Sequence, residues 1–325
     1  MLARACRACA LAGCLIWLLG GCGPQQAHPI AIAAHVWPGY EPMFLAEREG
    51  WLDPTHVELV PTANAVDSLQ ALKAGRVDGA ALTLDEVLRA REEGLALSVV
   101  LVFDISAGSD QLVARPEIAS LADLRGRCIG FEQGALGELM LTESLRAAGL
   151  SRDDVMLMPL AVNRQPEAWD AGEVDACVTY EPIASQLIDR DAQRLFDSRQ
   201  IPETIVDVLA LRTEVLDRTH RDALRALVKA HFSALDYLHR NPQDAAYRMA
   251  EHMGLPVTAV LPAFKGLLLP DAQHNRRLLA GAEPPLLLTA RRISALLAEA
   301  GLLEGRDDWA ELIRADFLPA SSWSP

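Results

Sequence analysis

The chain has 325 residues, of which 50% are apolar and only 5% aromatic, and its net charge is −14 at neutral pH. This balance is typical of a globular protein and excludes a disordered one, and the length suits two domains that share an interface. A surface this acidic repels a nucleic-acid backbone, so DNA and RNA are excluded as partners.

The first 21 residues have the pattern of a secretory signal peptide. Arg4 and Arg7 form a short positive region, and an uncharged apolar stretch follows from residue 8 to residue 21. A helix of this length rises only about 21 Å, which is too short for a hydrocarbon core of about 30 Å. The pattern predicts export, with residues 1–21 removed.

The signal segment ends in Leu19-Gly20-Gly21-Cys22, which resembles a bacterial lipobox. In such a box the cysteine is lipidated and becomes the mature N-terminus. Residues 11–14 also fit the box, but cleavage there would leave an apolar run of only a few residues, so Cys22 is the better candidate. Several acyl chains on Cys22 would anchor the protein stably to a bacterial membrane, inner or outer, on its periplasmic or cell-surface side, with residues 22–29 as a tether. The alternative is an ordinary signal peptide that ends in small residues.

Six cysteines suggest disulfides, but four of them lie within the first 22 residues. Apart from Cys22, the mature chain keeps only Cys128 and Cys177, so no disulfide scaffold remains. Whether these two pair is left open. The eight histidines show no metal-ligand spacing, and we expect no metal and no cofactor.

One pattern occurs twice in the chain, at an offset of about 97 residues. The clearest match is between residues 74–80 and 171–177, where Ala-Gly-Arg-Val-Asp and Ala-Gly-Glu-Val-Asp end a helix and lead into an apolar strand. Strand-like runs at 30–36 and 57–61 have counterparts at 127–132 and 155–159. The repeat predicts an α/β protein with two β-α-β-α-β units, each with a parallel sheet covered by helices.

Two polar stretches, residues 104–110 and 197–202, connect the units. They predict two crossings between lobe one, residues 30–104 with 205–325, and lobe two, residues 105–204. Beyond them, a helical stripe and a helix over roughly 286–300 predict C-terminal helices packed on lobe one. The stripe consists of Leu224, Leu227, Val228, His231, Leu235 and Leu238.

Two such lobes form a clamshell, and ligands of open parallel sheets bind beyond the carboxyl ends of the strands. The repeat places four mouth loops there, residues 37–42, 83–86, 133–137 and 179–182, and the first crossing lies beside them. The candidate ligand-binding residues are Trp37, Tyr40, Thr83, Asp85, Asp104, Ser106, Gly134, Ala135, Tyr180 and Glu181.

Several of these residues also have purely structural interpretations. Trp37 could plug the edge of the lobe-one sheet, and Glu181 could complement a helix dipole. Asp104 could be a turn former, while Thr83 and Asp85 could serve first as helix N-caps.

The mouth loops and the crossing carry carboxylates without any Lys or Arg. The carboxylates are Glu41, Asp85, Glu86, Asp104, Asp110, Glu138 and Glu181. Without a cation, they raise the cost of binding an anion, which would then depend on backbone N–H groups alone. An uncharged or cationic nitrogen compound suits these side chains better, and Trp37, Tyr40 and Tyr180 could offer aromatic faces to it.

The order of five motifs resembles the solute-binding lipoproteins of ABC importers, and is most similar to the nitrate/sulfonate/taurine type, which includes binders of the thiamine-pyrimidine precursor. The motifs are Trp-Pro-Gly-Tyr-Glu-Pro, Ala-Gly-Arg-Val-Asp with Thr-Leu-Asp-Glu, Asp-x-Ser-x-Gly-x-Asp, Leu-Ala-Asp-Leu-Arg-Gly and Ala-Gly-Glu-Val-Asp. The resemblance covers about residues 30–280. It implies a type II periplasmic-binding-protein fold and delivery of a solute to an ABC permease and its ATPase.

We expect a monomer that is not an enzyme. A ligand-sensing subunit for a membrane receptor stays an alternative, because it would use the same clamshell. An enzyme similar to the pyrimidine-precursor synthases is less favoured, since no Cys-rich motif survives signal cleavage and no nucleophile–base pair is apparent.

Overall fold

The structure, a computed structural model, describes residues 28–323 except 135, 217–218 and 307. The predicted signal peptide, lipidated Cys22 and most of the tether lie outside the described residues, as does Ala135.

The described chain folds into two β-sheets covered by helices. The strands are β1 (Ile30–His35), β2 (Val57–Thr62), β3 (Gly79–Thr83), β4 (Leu97–Ser106), β5 (Asp110–Ala114), β6 (Cys128–Phe131), β7 (Met156–Pro159), β8 (Ala176–Tyr180), β9 (Gln193–Asp197), β10 (Val206–Arg212) and β11 (Leu267–Leu268). The α-helices are α1 (Glu41–Arg48), α2 (Ala65–Lys73), α3 (Leu84–Glu92), α4 (Leu136–Ala148), α5 (Gln165–Asp170), α6 (Ile183–Ile188), α7 (Arg221–Arg240), α8 (Pro242–Met253), α9 (Val257–Ala263), α10 (Ala272–Leu279) and α11 (Pro285–Glu299). Short 3-10 turns span Pro38–Tyr40, Leu121–Leu124, Arg152–Asp154, Val162–Arg164, Ser198–Gln200 and Thr213–Val215.

The predicted repeat is present in the strand order. The first sheet runs β11-β4-β10-β3-β1-β2 and the second β7-β6-β8-β5-β9. In the first, β1 pairs in parallel with β2 and β3, and in the second β6 pairs in parallel with β7 and β8. The two β-α-β-α-β units therefore share one topology, and the predicted α/β fold class is confirmed.

The predicted parallel units are present, but each sheet as a whole is mixed, because it also contains antiparallel strands from the crossings. β10 runs antiparallel to β3 and β4, and β5 runs antiparallel to β8 and β9. Each crossing enters its new sheet at the edge where β3 or β8 ends. A strand that begins at that edge must run in the opposite direction to one that ends there.

Residues 104–110, which the sequence predicts to be a connection between the units, belong partly to strands. Asp104 and Ser106 lie within β4, which continues to Ser106, and Asp110 begins β5. Asp104 is therefore a strand residue and not a turn former. A polar residue at a strand end continues the ladder when its neighbour there, β10, supplies the backbone partners.

The C-terminal helices pack on the first sheet and its own helices, as predicted. α7 packs against α1, α10 against β4, and α11 against α3. All six residues of the predicted α7 stripe are buried. Cys128 on β6 and Cys177 on β8 are free thiols, and burial raises the pKa of Cys177 to about 12. Within the described ranges, no helix combines the length and the apolar character that crossing a bilayer requires.

Asn275 on α10 takes the place of a neighbouring strand for part of β4. Its Oδ1 accepts the backbone N–H of Val102 at 2.7 Å, and its Nδ2 donates to the carbonyl of Val102 at 2.9 Å. β11 pairs only with Ile105 and Ser106, so Asn275 satisfies the ladder where β11 does not reach. The Asn275 side chain is fully buried.

Asn275→Ala should lower the free energy of unfolding by about 2–4 kcal/mol, since it leaves two buried backbone groups without a partner. Urea denaturation followed by circular dichroism measures this loss. Gln273→Ala, on the exposed side of the same helix, is the control and should change stability by less than about 0.5 kcal/mol. Equal losses in the two variants would contradict this role for Asn275.

Candidate functional site

A closed cavity lies between the two sheets, at the edge where their parallel strands end. It is lined by His35, Trp37, Tyr40, Ala65, Thr83, Glu86, Asp110, Leu136, Tyr180 and Asp207. The space open to the centre of a water molecule is about 20 Å³, enough for about one water. In this conformation the cavity is too small for an organic solute.

Strand register brings the acidic side chains of the first sheet into one row. Asp207 on β10 lies opposite Thr83 on β3 and opposite Asp104 on β4. In the second sheet, Asp110 at the start of β5 lies opposite Tyr180 at the end of β8. The antiparallel strands from the crossings therefore add their first residues to the edge where the parallel strands end.

The turn after β1 holds two aromatic donors against these acids. Trp37 Nε1 donates to Asp104 Oδ2 at 2.9 Å, and the Tyr40 hydroxyl donates to Asp207 Oδ1. Gly39 lies between the two aromatic residues, and a Cβ there would come within 1.7 Å of Asp104 Oδ2. Only glycine at this position lets the turn approach the carboxyl group.

Burial strongly favours the protonated form of these carboxyl groups. Desolvation raises the pKa of Asp104 to about 8 and that of Asp110 to about 7, and raises that of Asp207 well above its usual range. The negative charges of neighbouring carboxylates raise each of these three pKa values further. The side chains of Asp104 and Asp207 hydrogen-bond to each other, which requires a proton on one of them.

Glu86 belongs to the same acidic cluster and also bridges the lobes. Its Oε2 accepts the N–H of Thr83 at 2.9 Å, and its Oε1 accepts the N–H of Leu136 in lobe two at 3.3 Å. Desolvation, followed by the charge of Asp85, raises the pKa of Glu86 to about 8.

Aromatic rings make a second contact between the lobes. The centroid of the Tyr180 ring lies 5.7 Å from that of the Trp37 ring, with the two rings edge to face. It lies 5.6 Å from the centroid of the His35 ring. Burial lowers the pKa of His35 to about 4, so it is neutral at pH 7 and brings no charge to the acids. The residues that line the cavity include no Lys or Arg.

Four of the predicted site residues line the cavity: Trp37, Tyr40, Thr83 and Tyr180. Asp104 lies directly behind Trp37 through their hydrogen bond. Trp37 thus contacts the site and is also buried against the end of the first sheet, so its two interpretations are compatible.

The other predicted site residues lie beside the cavity or away from it. Ser106 shares a 2.8 Å hydrogen bond with the hydroxyl of Ser198, and Glu181 Oε2 accepts the N–H of Ser185 at 3.1 Å near the start of α6. Asp85 is buried at the start of α3 outside the cavity lining. Gly134 lies in a half-buried turn and is not among the lining residues.

The candidate list omits the lining residues His35, Glu86, Asp110 and Asp207. The sequence does place Glu86 and Asp110 among the carboxylates near the mouth loops. Two other carboxylates predicted there have basic partners instead: Glu41 pairs with His252, and Glu138 pairs with Arg152. Asp207 had a detectable signal, a lone carboxylate inside the apolar run Val206–Leu211. Such a residue is costly in a buried strand unless a site requires it. Among the described residues, no group of three or more His, Cys, Asp or Glu is arranged to hold a metal ion.

Asp207→Asn should stabilise the unliganded protein at pH 8 relative to the wild type. An acid whose pKa is raised in the folded state loses its contribution to stability as pH rises from about 4 through its folded pKa. The wild-type melting temperature should fall by about 3 °C or more between pH 5 and pH 8, and that of the variant should fall less. Scanning calorimetry across this range measures both. The exposed substitution Glu173→Gln is the control, and a variant curve parallel to the wild type would contradict the prediction.

Comparison with known proteins places this geometry in a family. The NMT1/THI5-like family model matches residues 37–245. An Escherichia coli K12 protein named for the binding of aliphatic sulfonates is 29% identical over 145 residues, which are 44% of each chain. A Haemophilus influenzae protein named for thiamine biosynthesis is 25% identical over 65% of this chain and 68% of its own. The chain spans 44% of the length of the Brucella abortus binding proteins and the Escherichia coli protein that it matches.

Solved structures share the fold. The alkanesulfonate-binding protein of Xanthomonas axonopodis pv. citri, bound to MOPS, superposes with a TM-score of 0.70 at 19% identity, over 85% of this chain and 95% of its own. A desulfurization enzyme superposes with a TM-score of 0.62 at 17% identity, over 89% of this chain and 97% of its own. At these identities the likeness shows the fold alone, which is that of the periplasmic binding proteins. Together with the match over residues 37–245, it shows that the chain belongs to the NMT1/THI5-like family.

Proposed function

We propose that the protein is an extracytoplasmic solute-binding protein. It captures a small organic, nitrogen-containing solute between its two lobes and delivers it to an ABC permease and its ATPase. The observation that carries this proposal is the cavity at the strand ends, which is lined by residues of both sheets. The lobes are residues 30–104 with 205–325 and residues 105–204, and the protein acts as a monomer.

The chemistry of the lining supports a solute with N–H groups. Carboxyl oxygens on Asp110 and Asp207 face the interface without a hydrogen-bond partner, and Trp37 and Tyr180 supply apolar ring surface. A sulfonate or nitrate would add negative charge to an acidic site that has no lining Lys or Arg. This chain therefore departs from the anions for which some of its relatives are named.

An enzymatic role has less support. A desulfurization enzyme has the same fold, but fold alone does not carry activity. Neither Cys128 nor Cys177 lines the cavity, and the buried thiol of Cys177 is held in its unreactive protonated form. A receptor-linked sensor would use the same clamshell, and loss of uptake of one solute on gene deletion favours the importer.

Trp37→Ala and Tyr180→Ala should each weaken solute binding by about tenfold or more, because both remove ring surface from the closed interface. Native mass spectrometry of the unlipidated chain identifies the co-purified solute, and calorimetry with that solute measures affinity. Trp51→Ala and Tyr247→Ala are matched controls, since both side chains are exposed outside the cavity. If both cavity variants keep wild-type affinity, the site is misplaced.

Cys22→Ser should release the protein from the membrane fraction and abolish its labelling by a fatty-acid probe. A chain without its acyl groups has no stable anchor. Cell fractionation and metabolic labelling measure both effects. Cys14→Ser is the control and should leave labelling intact; loss of labelling in that variant alone would move the lipid to Cys14.

A further inference from the structure

Three buried acids at the cavity share a feature that narrows the class of solute. Asp104, Asp110 and Asp207 are 0%, 2% and 3% exposed. One oxygen of each is held by a side-chain donor: Trp37 for Asp104, the Ser106 hydroxyl for Asp110 and Tyr40 for Asp207.

Apart from the proton that Asp104 and Asp207 share, the other oxygen of each carboxyl group has no N–H or O–H donor among the described residues. These atoms are Asp104 Oδ1, Asp110 Oδ2 and Asp207 Oδ2, each almost completely shielded from water. Buried acceptors normally find donors, and Asp110 and Asp207 line the cavity, so their unpartnered oxygens indicate that a ligand supplies the donors. The aromatic and hydroxyl donors fix the three carboxyl groups in place while leaving those oxygens free.

Among the described residues that line the cavity, no Lys or Arg compensates these groups. The acids that act on them are Asp85, Glu86 and Glu181, together with the three themselves. The tyrosine and the tryptophan that touch them carry no positive charge, and neutral His35 lines the same cavity. Arg89 acts on Asp85 and Arg194 on Glu181, which are neighbours of the three carboxyl groups.

We propose that the solute is an organic cation whose protonated nitrogen binds the carboxyl groups of Asp110 and Asp207, with Asp104 behind them as the partner of Asp207. This inference rests on the proposed solute-binding function and narrows its ligand class. An ammonium or amidinium group brings N–H donors for the free oxygens and the charge that lets them ionise. The face of Trp37 or Tyr180 would contact the remainder of the cation.

Proton displacement gives binding a characteristic pH dependence. Below the pKa values of the empty site, which lie at about 7 for Asp110 and about 8 for Asp104, the cation must first displace protons. Raising the pH removes that cost, so affinity should increase by about tenfold per unit for each proton released. An uncharged solute would show no such increase.

The test uses two sets of probes matched in shape and differing in charge. They are benzamidinium, benzamide and benzoate, and putrescine, 1,4-butanediol and succinate. The unlipidated protein is melted with each probe at pH 6 and pH 8, and the charge of any co-purified solute is determined by native mass spectrometry. We expect a cationic probe to raise the melting temperature by about 2 °C or more at pH 8, less at pH 6, and the co-purified solute to be a cation.

Variants separate the acidic site from general charge attraction. Asp104→Asn and Asp207→Asn should each weaken cation binding by about tenfold at pH 8 and flatten its pH dependence. Both replace a costly buried charge by a neutral group of the same shape, so neither is expected to unfold the protein. Glu173→Gln removes an exposed carboxylate and should leave binding unchanged.

Each other outcome overturns a defined part of the proposal. Tighter binding of a neutral or anionic probe, or a neutral or anionic co-purified solute, overturns the cation and leaves the solute-binding function intact. Stabilisation by Zn²⁺ or Mg²⁺ without any organic cation also overturns it, in favour of a metal ligand. If no probe binds and no solute co-purifies, both this inference and the proposed function fail.

Discussion

The hydrogen-bonded carboxyl pair of Asp104 and Asp207 is the constraint on which the rest of the site depends. Two acids side by side in neighbouring strands cannot both ionise without a counter-charge, so the empty protein must keep a proton between them. Trp37 and Tyr40 reach over the strand ends to hold this pair, and that contact requires glycine at position 39. The mouth of lobe one is therefore organised around two acids rather than around a helix N-terminus.

Closure of the clamshell depends on the same groups. Glu86 links Thr83 in its own lobe to Leu136 in the other, and Tyr180 of lobe two packs against Trp37 and His35 of lobe one. Residues that hold the acids in position are thus also the ones that the second lobe touches. The proposed solute would contact the same side chains, and this arrangement would couple its binding to lobe closure.

Family membership explains the fold of the protein, whereas the acidic side chains determine the charge of its cavity. Membership of the NMT1/THI5-like family accounts for two repeated lobes with a cavity at their strand ends. It does not decide the solute, because the fold presents side chains from loops and strand ends that vary independently of the sheets.

The sequence alone was enough to predict the architecture. Hydrophobic runs, the helix-ending glycines and the 97-residue offset are local or periodic signals, and they specified two β-α-β-α-β units and the buried α7 stripe. The same signals located Trp37, Tyr40, Thr83 and Tyr180, because residues that follow apolar strands collect at one edge of a sheet.

Only the tertiary structure decided which acids belong to the site. Asp207 lies 103 residues from Asp104 in the chain, and their meeting depends on the antiparallel return of β10 between β3 and β4. The spacing of two residues along the sequence does not predict their contact across two crossings, since strand order and register set the distance between them in space. For the same reason Glu41 and Glu138, which count as mouth acids in the sequence, turn away to basic partners, whereas Asp207 inside an apolar strand becomes part of the ligand site.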